Sequence, residues 1–233
     1  MLRRKNPSRP GTKMRHLIAK LNPKSPISEQ YRTIRTNIDF ASVDEEIHTL
    51  LVTSSGPGEG KSMTAANLAV VYAQQGKKVL LIDADLRKPT VHYTFRLDNL
   101  RGLSNLLVGE SSLEQVVQHS DVDYLEVMSC GPIPPNPSEL LASQKMKQLL
   151  ETLKATYDII IFDTPPVLAV TDAQILANIV DGSILVVRSK QTEVEGAQKA
   201  VESLKPARAK LLGTVLNDRE KKQSNYYYYY GAK

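Results

Sequence analysis

The chain has 233 residues, of which 41% are hydrophobic and 24% are charged, and these values are ordinary for a globular protein. A chain of this length can bury a core, and it predicts one α/β domain with loose ends. The single cysteine, Cys130, excludes an internal disulfide framework and suits a reducing cytoplasm. No apolar run approaches the roughly 18 residues that span a bilayer, and the N-terminus lacks the apolar region of a secretory signal.

Positive charge is concentrated at the N-terminus. Residues 1–24 contain eight lysines and arginines and no acid, whereas the formal net charge of the whole chain is +5. Residues 1–27 are therefore predicted to form a basic, flexible arm. Such an arm is either a solvated tail or a contact with an anionic membrane surface or an acidic partner. No nucleic acid is expected as a partner, because no aromatic side chain is interleaved with the charges.

Helix and strand signals alternate after residue 27. The strands are short and wholly apolar, which predicts a mostly parallel sheet covered by helices on both faces. The predicted helices are 29–40 with Ser28 as its cap, 61–75, 103–107, 113–117, 136–154 with Asn136 and Glu139 in a capping box, 171 or 172 to 179, and 194–204. The predicted strands are 50–53, 79–82, 124–128, 159–162, 183–187 and 211–216.

A glycine-rich segment at 54–62 joins the first strand to the first long helix. It fits the Gly-x-x-x-x-Gly-Lys-Ser/Thr pattern of a P-loop at Gly60, Lys61 and Ser62, but Ser55 stands where the pattern begins with glycine. The N–H groups of such a loop surround phosphates, and the helix N-terminus adds a positive dipole end. The alternative, a glycine-rich turn with a chance lysine, is disfavoured by the strand–loop–helix context. The residues expected to bind the nucleotide are Ser55, Gly56, Pro57, Gly58, Glu59, Gly60, Lys61, Ser62 and Met63.

Acidic residues stand at the ends of two other apolar strands. Asp83 and Asp85 follow the strand at 79–82, and Asp163 follows the strand at 159–162. Ligands of open parallel sheets bind beyond these strand ends, where the P-loop also lies. Each acid alone could be a helix cap or a turn residue. Three of them beside a triphosphate require a cation, so the sequence predicts a P-loop NTPase site that binds ATP with Mg²⁺.

These motifs together resemble those of the bacterial tyrosine kinases, the P-loop kinases tied to capsular and exopolysaccharide synthesis. Residues 79–89 are similar to the second Walker A-like motif of that family, residues 159–166 to its Walker B motif, and residues 131–141 to its proline-rich loop. Without predicted membrane spans, the chain resembles the Firmicute arrangement, in which the membrane activator is a separate protein. The autophosphorylated tyrosine cluster of the family would be Tyr226, Tyr227, Tyr228, Tyr229 and Tyr230.

The resemblance implies a role for each residue of the site. Lys61 would hold the γ-phosphate, and Asp83 would accept the proton of the attacking phenol. The catalytic residues would be Lys61, Asp83, Asp85 and Arg87, and the Mg²⁺ ligands would be Ser62, Asp85 and Asp163, directly or through water.

Two of the implied roles have a purely structural alternative. Arg87 would either help to balance the phosphate charge or simply pair with an acid. Asn217 would either contact adenine or merely end the last strand.

An oligomer is implied by Glu29, Arg32 and Arg35, which match the oligomerisation motif of the family. The alternative for these residues is an exposed pair within one helix. The resemblance implies a ring, an octamer in the family, in which the tail of one subunit enters the site of its neighbour. A ring raises the local concentration of tyrosines at each site. The expected layout is the arm at 1–27, the kinase domain at 28–217 and a flexible tyrosine-rich tail at 218–233.

The expected function is an ATP-dependent protein-tyrosine kinase that autophosphorylates in trans, phosphorylates other proteins and regulates polysaccharide synthesis and export. The family pattern further implies a cytoplasmic protein that its membrane-anchored activator recruits to the inner face of the membrane, and a cognate phosphotyrosine phosphatase. A Min- or Par-like partition ATPase is one alternative, although 55–59 lacks the signature lysine of that class. A non-catalytic ATP-binding regulator of the export assembly is the other.

Overall fold

The computed structural model describes residues 17–41 and 46–220. Most of the predicted basic arm and the tyrosine cluster at 226–230 lie outside the described residues. The helices are α1 Ile18–Leu21, α2 Pro26–Phe40, α3 Lys61–Ala73, α4 Val91–Phe95, α5 Leu103–Val108, α6 Leu113–Val116, α7 Pro137–Ala142, α8 Gln144–Lys154, α9 Asp172–Ala177 and α10 Val194–Leu204. The strands are β1 Thr49–Ser54, β2 Val79–Asp83, β3 Val117–His119, β4 Leu125–Met128, β5 Ile159–Asp163, β6 Gly182–Arg188 and β7 Lys210–Asn217.

The seven strands form one sheet in the order β3-β4-β2-β5-β1-β6-β7. All neighbouring strands are parallel except the pair β3 and β4, which is antiparallel. Asp163 of β5 pairs in register with Val52 of β1 and with Asp83 of β2. The ends of these three central strands therefore meet at one edge of the sheet, and the predicted α/β P-loop architecture is confirmed.

Two apolar layers cover the two faces of the sheet. Because alternate residues of a strand point to opposite faces, Leu50 and Val52 pack with the buried helix α3, whereas Leu51 packs with the layer that contains α8, α9 and α10. Every residue of β1, β2 and β5 is buried. Burial on both faces explains why these strands are continuous apolar runs with no alternation.

Helix α2 begins three residues earlier than its predicted start at residue 29, and its cap differs from the prediction. The N-cap is Ser25, whose Oγ accepts a hydrogen bond from the N–H of Ser28 at 3.1 Å. Ser28 lies inside the helix, and its hydroxyl donates to the carbonyl of Asn22 at 2.7 Å. Pro26 at the first helical position supplies the fixed φ that a helix start requires, so the earlier start is favourable.

The predicted helix at 136–154 is two helices. Ser143 is extended between them, with ψ of 157°, and its Oγ accepts a hydrogen bond from the N–H of Met146 at 3.2 Å. The serine thus ends α7 and caps α8. The expected capping box is not formed: the Asn136 side chain caps no backbone N–H, and its Nδ2 instead donates to Glu139 Oε2 at 2.8 Å.

The folded domain begins before residue 28, so the expected arm of 1–27 is too long. Helix α1 packs on α3, where the N–H of Ala19 donates to Asn67 Oδ1 at 2.9 Å and Gln74 Nε2 donates to the carbonyl of Ala19 at 2.9 Å. Leu17 and Ala19 are buried in the same apolar layer as α3. These tertiary contacts fix a segment whose charge and proline content had predicted flexibility.

We expect Gly102→Ala to destabilise the protein by about 3 kcal/mol, because a Cβ atom would overlap backbone rather than movable side chains. That atom would lie 2.1 Å from the carbonyl oxygen of Ser129 and 2.3 Å from the nitrogen of Gly131. Gly196→Ala in α10 is the matched control, because nothing lies within 4 Å of its added methyl group. The control should gain about 0.5 to 1 kcal/mol. Urea unfolding of both variants measures the difference, and equal stabilities would contradict the prediction.

Candidate functional site

The glycine-rich loop lies between β1 and the N-terminus of α3, as the pattern predicts. Gly60 is the N-cap of α3, and its φ of 98° is in the left-handed region that favours glycine. A Cβ atom at Gly60 would also lie 2.0 Å from Asn217 Nδ2. Lys61 and Ser62 form the first turn of the helix, whose dipole adds positive potential at the loop. The arrangement is an anion site in front of a buried helix.

Lys61 lies between two carboxylates, one from the segment that follows β2 and one from the end of β5. Its Nζ is 3.0 Å from Asp85 Oδ2 and 3.2 Å from Asp163 Oδ1. The hydroxyl of Ser62 is 3.4 Å from the same nitrogen. Burial alone would lower the pKa of Lys61, but the negative charges of Asp163 and Asp85 raise it above its ordinary value. The ammonium therefore stays charged and balances the acids.

Asp83 is the third acid near Lys61, and it is fully buried. Its Oδ2 accepts hydrogen bonds from the N–H groups of Thr90 at 2.8 Å and Val91 at 2.9 Å, whereas Oδ1 has one longer contact, to the N–H of Asp85 at 3.3 Å. Burial, followed by the nearby charge of Asp163, raises the pKa of Asp83 to about 7. The N–H donors oppose that rise because they favour the ionised form.

The acids at this site suit a hard divalent cation that also binds phosphate oxygens. Asp163 is fully buried, and its Oδ2 has no hydrogen-bond partner within 17–41 and 46–220. Burial raises the pKa of Asp163, and the Lys61 charge works against that rise. An unpaired buried carboxylate oxygen is costly, so it marks a place where a further positive ligand fits. Among the described residues no group of three or more His, Cys, Asp or Glu side chains that could hold a metal ion occurs.

Arg87 pairs with an acid, which is one of the two roles that the sequence left open. Its Nε donates to Asp172 Oδ2 at 2.9 Å, and its Nη2 donates to Asp172 Oδ1 at 3.1 Å. The hydroxyl of Ser138, in α7, donates to the same carboxylate at 2.6 Å. The guanidinium is thus held beside the site by a fully buried acid. Sequence reasoning missed Asp172 in this role, because its position at the start of α9 is also that of an ordinary helix residue.

Asn217 contacts the P-loop. Its Nδ2 donates to the carbonyl of Glu59 at 2.9 Å, at the carboxyl end of β7. This contact places the amide beside the predicted phosphate site, while the expected contact with adenine stays a prediction. A groove of about 670 Å³ lies nearby between α10 and the pair β6 and β7, and its lining includes Arg188 and Thr192 but not Asp83, Asp85 or Asp163. The candidate site is defined by the chemistry of its charged groups rather than by the size of this groove.

The predicted oligomerisation motif makes contacts within the chain. Arg32 Nη1 donates to Glu29 Oε2 at 2.8 Å, and Arg32 Nη2 donates to the carbonyl of Pro23 at 2.7 Å. Arg35 Nη1 donates to the carbonyl of Val71 at 2.7 Å, near the end of α3. The motif therefore holds α2 on the domain, and its part in a ring stays a prediction.

A family model of the AAA domain matches residues 47–216. Tyrosine-protein kinase YwqD of Bacillus subtilis is 58% identical over 224 residues, which cover 96% of this chain and 94% of that protein. Putative tyrosine-protein kinase CapB of Staphylococcus aureus is 47% identical and covers 90% of this chain and 92% of that protein. The chain belongs to the bacterial tyrosine-protein kinases. The resemblance inferred from the motifs is confirmed.

Solved structures agree with this placement of the kinase. The crystal structure of the chimerical protein CapA2B2 matches with a TM-score of 0.86 and 46% identity, over 88% of this chain and 90% of that one. The septum site-determining protein MinD of Pyrococcus horikoshii, complexed with Mg-ADP, matches with a TM-score of 0.65 and 24% identity, over 76% and 72% of the two chains. The second likeness is one of fold alone. Within the part of the kinase that the structure describes, no helix is long and apolar enough to cross a membrane.

We expect the free energy of unfolding of Asp83→Asn, relative to that of the wild-type kinase, to increase as the pH rises. Asp83 has its pKa raised from 3.8 to about 7, so between these values the native state binds more protons than the unfolded state. The contribution of this acid to stability is thus present at low pH, is lost as the pH rises, and levels off above about 7. Urea unfolding in metal-free buffer without nucleotide measures it. A difference that is constant with pH would contradict the assignment.

Proposed function

We propose that this kinase transfers the γ-phosphoryl group of ATP, bound with Mg²⁺, to the phenol oxygen of tyrosine. The observation that carries the proposal is the position of the Lys61 ammonium, between the carboxylates of Asp85 and Asp163 at the head of the phosphate loop. Asp83 lies at the same edge of the sheet. A cation, hydrogen-bond donors to the phosphates and a general base can therefore act within one site. Phosphoryl transfer needs alignment and charge neutralisation above all, and these residues supply both.

The loop at 55–63 would bind the phosphates through its N–H groups and through the N-terminus of α3. Lys61 would then exchange part of its interaction with the acids for interaction with the γ-phosphate. Ser62, Asp85 and Asp163 would hold the Mg²⁺, which neutralises phosphate charge when bound. The unpaired Oδ2 of Asp163 supports this assignment.

Asp83 is the proposed base for the tyrosine phenol. A phenol has a pKa of about 10, so it gives up its proton more readily than an aliphatic hydroxyl group does. The raised pKa of Asp83, about 7, suits a group that takes a proton near neutral pH. Oδ1 is the oxygen with spare capacity, because Oδ2 already accepts two N–H groups. Asp83 is fully buried, so the base role requires the segment between β2 and α4 to move when the phenol enters.

We further propose that the acceptor tyrosines are those of the tail at 226–230 and those of other proteins. Phosphorylation of the tail in trans within a ring, an octamer by resemblance, would follow from the high local concentration of neighbouring tails. Glu29, Arg32 and Arg35 are the proposed ring contacts. Asn217, which lies at the P-loop, is the proposed adenine contact, and Arg87 is the proposed aid to charge balance.

The names of related proteins support a role in polysaccharide synthesis and export. One relative is named CapB, and another is a putative tyrosine-protein kinase in the cps region of Klebsiella pneumoniae, 36% identical over 96% of this chain and 30% of that protein. We propose that a membrane-anchored activator docks on this kinase and recruits it from the cytoplasm to the inner face of the membrane. A cognate phosphotyrosine phosphatase would reverse the modification.

We expect the purified chain, incubated with ATP and Mg²⁺, to acquire phosphate on tyrosines of the tail. Lys61→Met should reduce the modification to background, because it removes the cation that holds the γ-phosphate. A chain that ends at Asn225 should also stay unmodified in the tail region. Mass spectrometry of intact and digested protein measures all three. Phosphate confined to serine or threonine would contradict the proposal, and an inactive wild type would be repeated with the cytoplasmic end of the activator added.

Trans action can be tested by mixing two incomplete chains. The chain that ends at Asn225 keeps the site but lacks the acceptor tyrosines, whereas Lys61→Met keeps the tail but lacks transfer. We expect phosphate on the Lys61→Met tail only in the mixture, at a rate that increases with the concentration of the truncated chain. A wild-type chain that is modified while this mixture stays unmodified would show that transfer occurs within one chain.

The same experiments separate the kinase from its alternative. A non-catalytic ATP-binding regulator would bind Mg-ATP and change its assembly, but neither the wild type nor the mixture would carry phosphotyrosine. The charged set at the strand ends favours catalysis, because a switch that only binds ATP has no use for a buried third acid. An absence of phosphotyrosine favours the regulator only if it persists in the reaction that contains the activator.

A further inference from the structure

Glu59 is an acidic residue within the loop that would bind phosphates, and its carboxylate is turned inward. The residue is 5% exposed. Its Oε2 accepts hydrogen bonds from the N–H groups of Ser55 at 2.8 Å and Gly56 at 3.1 Å, and the hydroxyl of Ser55 donates to Oε1 at 2.7 Å. A buried carboxylate is costly unless such donors surround it. The loop thus folds around the side chain of Glu59.

These contacts explain why the loop departs from the strict P-loop pattern. Ser55 stands where the pattern has glycine, and a glycine would have no hydroxyl group to donate to Glu59. The serine and the glutamate therefore form one unit that fixes the start of the loop. These donors stabilise the carboxylate of Glu59 beside the place where phosphates would bind.

A further donor to Glu59 comes from outside the loop. The hydroxyl of Thr192, in the segment between β6 and α10, donates to Glu59 Oε1 at 2.5 Å. The same hydroxyl oxygen accepts the N–H of Arg188 at 2.8 Å. A hydroxyl group has one hydrogen, so the bond from Arg188 orients that hydrogen toward Glu59. Arg188 Nη1 also donates to the carbonyl of Gly58 at 3.3 Å, which gives the loop a second contact with the end of β6.

We infer that Thr192 is a positioning residue for nucleotide binding, which acts through Glu59 on the phosphate loop. The inference rests on the proposed function, in that the loop binds the phosphates of a nucleotide. Thr192 touches none of the catalytic acids described above. Its hydroxyl holds Glu59 in the orientation that keeps the N–H groups of the loop arranged before the nucleotide arrives. A preformed loop loses less conformational freedom on binding, so affinity is the quantity that this contact controls.

Thr192→Val should therefore weaken binding of Mg-ADP about tenfold, because it replaces a hydrogen bond to a carboxylate with a methyl group of the same shape. The KM for ATP should rise by about the same factor, with kcat within about twofold of wild type. Thr192→Ser keeps the hydroxyl group and should restore binding. Thr152→Val is the matched control, because Thr152 is exposed on α8 and its hydroxyl donates only to the carbonyl of Gln148 at 3.0 Å.

Binding is measured by titration with a fluorescent ADP analogue in the presence of Mg²⁺, and stability by thermal unfolding without nucleotide. The titration needs no phosphoryl transfer, so the inference can hold where the kinase assay fails, and the reverse. A Glu59→Gln background adds a second test: Thr192→Val should cause no further loss of affinity there, because the two residues act as one unit.

Wild-type affinity in Thr192→Val would overturn the inference. So would a serine variant that binds as weakly as the valine variant, or full additivity with Glu59→Gln. If Thr192→Val fails to fold, the serine variant and the Glu59→Gln variant still decide the matter. The inference then requires that serine preserves affinity and that Glu59→Gln weakens it with an unchanged thermal midpoint.

Discussion

The ion cluster around Lys61 is the constraint on which the site depends. Asp83, Asp85 and Asp163 are all buried, and Lys61 supplies the positive charge that lies against two of them. Three neighbouring carboxylates buried at this depth are costly unless a positive charge balances them. The native state therefore accepts an electrostatic cost at the place where a triphosphate and Mg²⁺ would bind.

The sheet makes this cluster possible. Parallel strands end at the same edge, and the register pairs Asp83 with Asp163 directly. Helix α3 begins with Lys61 and is buried along most of its length, so the lysine has little freedom to leave. The cost of the acids is offset by the packing of β1, β2 and β5, none of which contains an exposed residue. The apolar core thus stabilises a fold that contains unfavourable buried charges at one edge of the sheet. Such charges are common at catalytic sites.

Much of the fold and of the candidate site could be predicted from the sequence, because the signals for them lie in short continuous segments. The apolar strands, the P-loop and the acids at the strand ends are short segments whose chemistry is plain on its own. The contacts that complete the site are distant in sequence: Arg87 and Asp172 are 85 positions apart, and Glu59 and Thr192 are 133 positions apart. No local pattern marks such pairs. For the same reason the sequence did not predict the order of α1. That order depends on Asn67 of α3 and on Gln74, the C-cap of α3.

The arginines of α2 already serve the fold, and these contacts limit how the same side chains could serve the proposed ring. Arg35 donates to the carbonyl of Val71 at the end of α3, so its guanidinium already satisfies a backbone group that the helix leaves unpaired. Arg32 contacts the carboxylate of Glu29, which is also in α2, and the carbonyl of Pro23, which precedes α2. A ring formed through this face would therefore have to use donors that remain free on both guanidinium groups, or break contacts that hold α2 in place. Arg32 is the better reporter of assembly, because its loss removes exposed contacts, whereas loss of Arg35 also removes a partly buried link between two helices.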